Sequence, residues 1–252
     1  MTESELRLEQ LAASIGRARQ RAGCAVLPAE GQREDIPVMG GEARHRDCLV
    51  SMLASGSKGN AAFIRCGHTK ILIDAGISCR RIEKGLKAYG CSLSELDAVF
   101  ITHEHADHVN GLATLLKKTD IPVYTTRETW SCLGRKAGEY AGRFVRLPRR
   151  VGLKEIQIVP FLISHDAARP VGYTIYHGDS KITLATDLGY ISHDVELAAA
   201  YSDILILEAN HDEEMLKNGP YPYALQNRIL SRWGHLPTAM RRNFWPVSPR
   251  KG

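Results

Sequence analysis

The chain has 252 residues, 44% of them hydrophobic and 24% charged, which excludes a disordered chain or a fibre and fits one large domain with appendages. The net charge of +5 is unevenly placed: residues 1–45 carry six arginines against seven acids, and residues 228–252 carry five arginines, one lysine and no acid. The stretch between is balanced, so the charge argues for a solvated basic end more than for a nucleic-acid-binding body.

Apolar runs such as Ile204-Leu205-Ile206-Leu207 are far too short to cross a bilayer. The opening Met-Thr-Glu-Ser-Glu has neither the basic nor the apolar region of a secretory signal. Six cysteines (24, 48, 66, 79, 91 and 132) form no CxxC pair. Together these features predict a cytoplasmic protein with reduced thiols, no membrane contact, and neither a disulfide framework nor a cysteine-rich zinc site.

Three regions follow in chain order. In residues 1–45, Leu8, Leu11, Ile15 and Ala18 have helical spacing behind a possible cap at Ser4, and Pro28, Gly31, Pro37 and Gly40-Gly41 then break it. This predicts an arm with one helix and a loose linker. Residues 46–235 form the expected folded domain. Short β-type runs recur there at 48–53, 61–66, 70–73, 98–101, 122–124, 155–159, 171–176, 181–185 and 203–208. Helical patterns lie between them at 79–89, 111–118 and 128–137, which makes a mixed α/β architecture. Residues 236–252, with three prolines and no period, predict an irregular basic tail.

Chemistry concentrates at strand ends. The run Ala98–Ile101 leads into Thr102-His103-Glu104-His105-Ala106-Asp107-His108 at a strand-to-helix turn. Three imidazoles and a carboxylate within six residues are donors for a divalent ion, imidazole suiting zinc and carboxylate adding a harder ligand. His165, Asp187 and Asp74 each follow an apolar run of their own. Alone, each would read as an ordinary turn residue; beside a three-histidine motif each becomes a candidate, Asp74 as acceptor of a ligating histidine's second N–H.

Asp74-Ala75-Gly76, His103-x-His105-x-Asp107-His108, His165 and Asp187 resemble the successive motifs of the metallo-β-lactamase-fold hydrolases. Longer segments resemble the bacterial YycJ/WalJ-like subgroup: Leu53–Asn60, Ser164–Ala167, Pro170–Ile175, Ala185–Gly189, Leu207–Asp212 and Asn218–Pro222. The resemblance implies a four-layer αββα sandwich and two divalent ions, zinc first with manganese or iron as alternatives. His103, His105 and His165 would hold one ion, Asp107 and His108 the other, and Asp187 would bridge, with Asp107 also catalytic. Asp74 would stand behind the ligands. Apart from the resemblance, Glu208 ends the apolar run 203–208, His211 follows it, and both are candidates for shaping the site. His235 would donate a proton to the leaving group or bind phosphate. The loop of Ser55, Ser57 and Asn60 would approach a substrate phosphate. The implied activity is a phosphodiesterase or DNA exonuclease using a hydroxide shared by the metals, with DNA as partner.

After Leu236 the resemblance stops. The family's later Ala-His-Leu-Ser has no counterpart, and His235 is the last histidine. This predicts a domain lacking its last strand and helix and one ligand of the second ion, as a shift of reading frame near position 236 would produce. Two alternatives therefore stand beside the nuclease: a hydrolase of another ester, thioester or lactam on the same scaffold, and an inactive or weakly metal-binding fragment.

Overall fold

The computed structural model describes residues 42–45, 47–134, 138–208 and 210–243, by backbone alone at 42–45 and 241–243. All belong to one compact unit, residues 37–252. The helix expected around Leu8–Ala18 lies outside the described residues.

The first sheet grows from one edge as an antiparallel meander: β1 (Glu42–His45), β2 (Cys48–Ala54), β3 (Ala61–Cys66) and β4 (Thr69–Ile73). Then β5 (Ala98–Phe100), β6 (Val123–Thr125) and β7 (Phe144–Arg146) join in parallel, giving the order β1 to β7. Parallel neighbours need crossovers. Helix α1 (Cys79–Lys87) links β4 to β5, α2 (Ala106–Val109) and α3 (Leu112–Lys118) link β5 to β6, and α4 (Arg127–Cys132) leads toward β7. The second sheet runs antiparallel through β8 (Val151–Leu153), β9 (Ile156–Leu162), β10 (Val171–His177) and β11 (Ser180–Ala185). After α5 (His193–Ala199), β12 (Ile204–Leu207) pairs with β11 in parallel. Helices α6 (Glu213–Asn218), α7 (Tyr223–Ile229) and α8 (Thr238–Asn243) follow.

The strands of the first sheet are apolar throughout because both faces are covered. Phe63, Leu72 and Val99 face the helices, packing with Ile82, Leu86 and Leu115. Their alternating neighbours Ile64, Ile71, Ile73 and Phe100 meet Ile158, Tyr173, Ile175, Ile182 and Leu184 of the second sheet. On the far side of that sheet Val195 of α5 packs with Ile163, Ala185, Leu188 and Leu236. Thr183 donates to Ala198 O there at 2.9 Å. The layers are helix, sheet, sheet, helix, as the family resemblance implies.

The remaining departures have local causes. Strands β1, β7 and β8 were not expected; β7 and β8 are three residues long and broken by Arg146 or Gly152, which leaves no apolar run to read. Residues 236–243 are not irregular: Leu236 is fully buried, Pro237 bridges to His211, and α8 follows. The reading of uniformly reduced thiols is also corrected. Cys48 and Cys66 are cross-strand partners on β2 and β3, with Cα atoms 4.1 Å apart, and form a disulfide. Eighteen residues separate them in sequence, so only the hairpin register reveals the pairing. Among the described residues Cys79, Cys91 and Cys132 are free. No described helix is long and apolar enough to cross a membrane.

Three loops that carry the motifs are locked through their backbones. Asn60 N–H donates to Asp107 O at 2.7 Å, and Gly76 N–H donates to Asn60 O at 2.8 Å. A Cβ on Gly76 would overlap the Asp107 carbonyl, which is backbone and cannot swing aside. Gly76→Ala is therefore expected to destabilise the fold by about 1–3 kcal/mol and to push Asp107 out of place. Urea unfolding, read beside the metal content of the folded fraction, checks this.

Candidate metal centre

Strand ends of both sheets deliver the site. Strand β4 leads directly to Asp74 and β11 leads to Asp187, and both acids have left-handed backbones, with φ of 61° and 57°. Such a conformation is uncommon outside glycine and concentrates where the surroundings over-determine it. Strand β5 ends three residues before His103, and α2 carries Asp107 and His108. His165 follows β9, and His235 follows α7.

Three donor groups converge, each with its ligand atoms within 4.8 Å of one another: His103, His105 and His165; His103, His108 and Asp187; and His165, Asp187 and His235. The first two share His103, and Asp187 belongs to the second and third. Asp107 stands beside them, its Oδ2 3.5 Å from His108 Nε2.

The hydrogen bonds fix which nitrogens are free. Thr102 Oγ1 has one proton and gives it to Asp74, whose oxygens lie 3.0 and 2.9 Å away. His103 Nδ1, 3.0 Å from the same hydroxyl, must then be the donor toward it. That leaves a lone pair on His103 Nε2, an atom buried with no hydrogen-bond partner. A buried unpaired polar atom is costly, and a cation at this atom removes the cost. Burial, reinforced by the neighbouring His108, holds the His103 imidazole neutral, its pKa pushed down to about 2. Likewise His165 Nδ1 donates to Gly234 O at 3.2 Å, and its Nε2 faces His105 Nδ1 at 3.2 Å. Burial lowers the His165 pKa as well.

His108 shows the opposite charge state. Its Nδ1 donates to Asp74 Oδ2 at 2.8 Å, while its Nε2 lies 3.2 Å from Asp187 Oδ2. Burial opposes the imidazolium, but Asp74, Asp107 and Asp187 outweigh it and push the pKa up to about 12. Burial likewise opposes the Asp187 carboxylate, yet His108, His103 and His165 hold its pKa far below the usual range. Three carboxylates around one ring thus demand positive charge; a proton on Nε2 supplies it in the bare protein, and a divalent cation would supply more. By both tests, the orphaned lone pair and the charge balance, these residues fit divalent metal ions.

Residues 69–241 match the family model described as the beta-lactamase superfamily domain. The chain is 35% identical over 189 residues to the exodeoxyribonuclease YycJ of Bacillus anthracis, covering 74% of this chain and 72% of that protein. It is equally 35% identical over 193 residues to the exodeoxyribonuclease WalJ of Streptococcus pneumoniae, covering 74% and 71%. The chain belongs to the beta-lactamase superfamily. Its fold is shared with the short form of human tRNase Z, at TM-score 0.58 and 18% identity over 77% of this chain and 86% of that one. Zn(2+)-bound PqqB from Methylobacterium extorquens has the same fold, at TM-score 0.56 and 18% identity over 71% and 68%.

Within this metallo-β-lactamase-fold domain His103, His105, His108, His165 and Asp187 come together, with Asp107 at the margin. Asp74 lies directly behind His108. Glu208 accepts from Leu188 N–H at 2.8 Å and meets His235 Nδ1 at 2.6 Å, and His235 Nδ1 is 3.6 Å from Asp187. Burial opposes the His235 charge, but Glu208 raises its pKa above the ordinary value. His211 lies to one side, its ring nitrogens buried without hydrogen-bond partners. Of the expected substrate loop, Asn60 reaches in, its Nδ2 3.2 Å from Asp107 Oδ2 and 3.0 Å from His108 Nε2. Ser55 and Ser57 are exposed.

Sequence reasoning missed Thr102, whose hydroxyl ties Asp74 to His103, although its place directly before the motif was a signal. It also missed Asp166, adjacent to His165 in sequence, and Arg228, whose Nε donates to Asp166 Oδ2 at 2.6 Å.

Proposed function

We propose that this chain is a metal-dependent phosphodiesterase acting on DNA as an exonuclease, with two divalent ions in the joined donor groups. His103, His105 and His165 would hold one ion, and His108, Asp187 and Asp107 the other, with Asp187 between them. The observation that carries this reading is the sharing of His103 and Asp187 between neighbouring donor groups. The names of the YycJ and WalJ relatives support the choice of substrate. Imidazole-rich donors favour zinc, while the carboxylates also suit manganese or iron. Ions bound there would acidify water and neutralise charge developing on a phosphoryl group.

The chain's own residues prepare this chemistry. Asp74 keeps the proton of His108 on Nδ1, and Gly234 O keeps that of His165 on its Nδ1, so both Nε2 atoms face inward as donors. Asn60 orients Asp107 through its amide. Glu208 fixes His235 beside Asp187, in position to give a proton to the departing alkoxide.

Digestion of 5′- or 3′-labelled linear DNA by the metal-loaded protein tests the activity, and release of mononucleotides from one end is expected. Closed circular DNA is expected to resist. Thioester or lactam turnover without DNA degradation would sink the proposal in favour of another hydrolase. His235→Asn is expected to slow DNA cleavage by about a hundredfold to ten-thousandfold, the usual value of a positioned proton donor. Cleavage of bis(p-nitrophenyl) phosphate, whose leaving group needs no proton, is expected to fall far less. Equal losses on the two substrates would assign His235 to metal or phosphate binding instead.

A further inference from the structure

We infer that Arg228 and Trp233 form a clamp that receives a single nucleic-acid strand at the rim of the metal centre, Arg228 on a phosphate and Trp233 on a base. The inference rests on the phosphodiesterase reading and says how one strand of its substrate is held.

Asp166 is the hub. Its N–H donates to Trp233 O at 3.1 Å, and its Oδ2 accepts from Arg228 Nε at 2.6 Å. Its Oδ1 lies 3.4 Å from His165 Nε2 and 3.9 Å from His105 Nε2. Arg228 and Trp233 are therefore each one hydrogen bond from the residue that borders two proposed metal ligands. The Arg228 side chain is 57% exposed and Trp233 is 59% exposed.

An ion pair this exposed adds little to stability. It does fix a guanidinium. With Nε engaged by Asp166, the two terminal nitrogens remain for oxygen acceptors, and a guanidinium fork suits phosphate. Between the two, Arg232 is exposed and lies over the Tyr190 ring at 4.7 Å, three residues after Asp187. Arg228 also opens the stretch that carries six cations and no acid to the end of the chain. The charge excess thus begins at the rim of a site otherwise rich in carboxylates, where a polyanion needs attraction. An exposed tryptophan among arginines is the combination that binds single strands, bases stacking on the ring and phosphates on the cations. A paired base cannot offer its face to Trp233, which excludes duplex from this seat.

The test measures fluorescence anisotropy of the metal-loaded full chain with an all-phosphorothioate oligothymidylate, which resists cleavage, and with a blunt duplex of equal length. Wild type is expected to prefer the single strand. Trp233→Ala is expected to weaken single-strand binding by about fivefold to 150-fold, the equivalent of one stacked base, and Trp233→Phe to recover most of it. Arg228→Gln is expected to flatten the slope of log affinity against log salt by about 0.7, one phosphate contact. A merely structural ion pair would move the melting temperature and leave that slope alone. Unchanged affinity and slope in both variants, while wild type still degrades DNA, would overturn the clamp and spare the phosphodiesterase. A wild type that neither binds nor cleaves DNA would overturn both. Altered sedimentation of Trp233→Ala with unaltered DNA affinity would make this surface a contact between copies of the chain, and would also overturn the clamp.

Discussion

Asp187→Ala is expected to strip the centre of metal and reduce hydrolysis by roughly three decades. A bound cation contributes several kcal/mol at a transition state, and each 1.36 kcal/mol is a factor of ten. The geometry makes this residue the carboxylate that joins two of the three donor groups, and it lies 3.2 Å from His108 Nε2. Metal analysis by plasma mass spectrometry separates ligation from a simple ion pair. The wild-type protein is expected to hold about two ions per chain, and Asp187→Ala fewer than one. Chelator is expected to lower the melting temperature of the wild type and to leave that of the variant nearly unmoved, because a ligand that binds only the folded state stabilises it by mass action. A variant that retains its full metal content would show that Asp187 merely neutralises His108. Wild-type protein holding one ion or none would restrict the centre to the histidine group and remove the basis for a two-metal phosphodiesterase.

The mixed α/β architecture was legible because burial on both faces writes long apolar runs, and those runs end where the chemistry sits; the four layers came only from the family resemblance. His103, His105, Asp107 and His108 were legible for the same reason, being crowded into one turn. What was not legible depends on contacts across long separations or on groups without a sequence signature. The acceptor that sets the His165 tautomer is the carbonyl of Gly234, 69 residues away, and any residue type has a carbonyl. The Asp166–Arg228 pair spans 62 residues. The Cys48–Cys66 partnership exists only once β2 and β3 are in register. The last helices failed differently: α5 is announced by Ser192, whose hydroxyl accepts from Val195 N–H, and that capping signal went unread. The tail was read from its prolines and arginines, and Leu236, which packs in the core beside Leu188 and Val195, was easily overlooked among them.

The pair Asp74→Asn and Asp74→Ala is expected to split a structural role from an electrostatic one. Asp74 is 3% exposed and has a left-handed backbone, and its carboxylate accepts from Thr102 N–H at 2.8 Å, from the Thr102 hydroxyl and from His108 Nδ1. Asparagine tolerates the left-handed region and can still accept one of these bonds through its carbonyl. Asp74→Asn is therefore expected to fold nearly as well as wild type. It loses the anion that makes His108 a better donor, and metal affinity is expected to fall about 10- to 100-fold, as for other residues behind a ligand. Alanine loses every acceptor. The Thr102 N–H, buried, is then unpaired at about 1–3 kcal/mol, and the left-handed backbone adds about 1–2 kcal/mol. Asp74→Ala is thus expected to lose about 2–5 kcal/mol of stability, enough to unfold a marginal domain. Urea midpoints and a metal-competition titration with a chromogenic chelator measure the two quantities on the same samples. Equal metal affinity in Asp74→Asn and wild type would mean that the Asp74–His108 bond holds only the loop. Equal stability of the two variants would mean that Thr102 finds another acceptor when the carboxylate is gone.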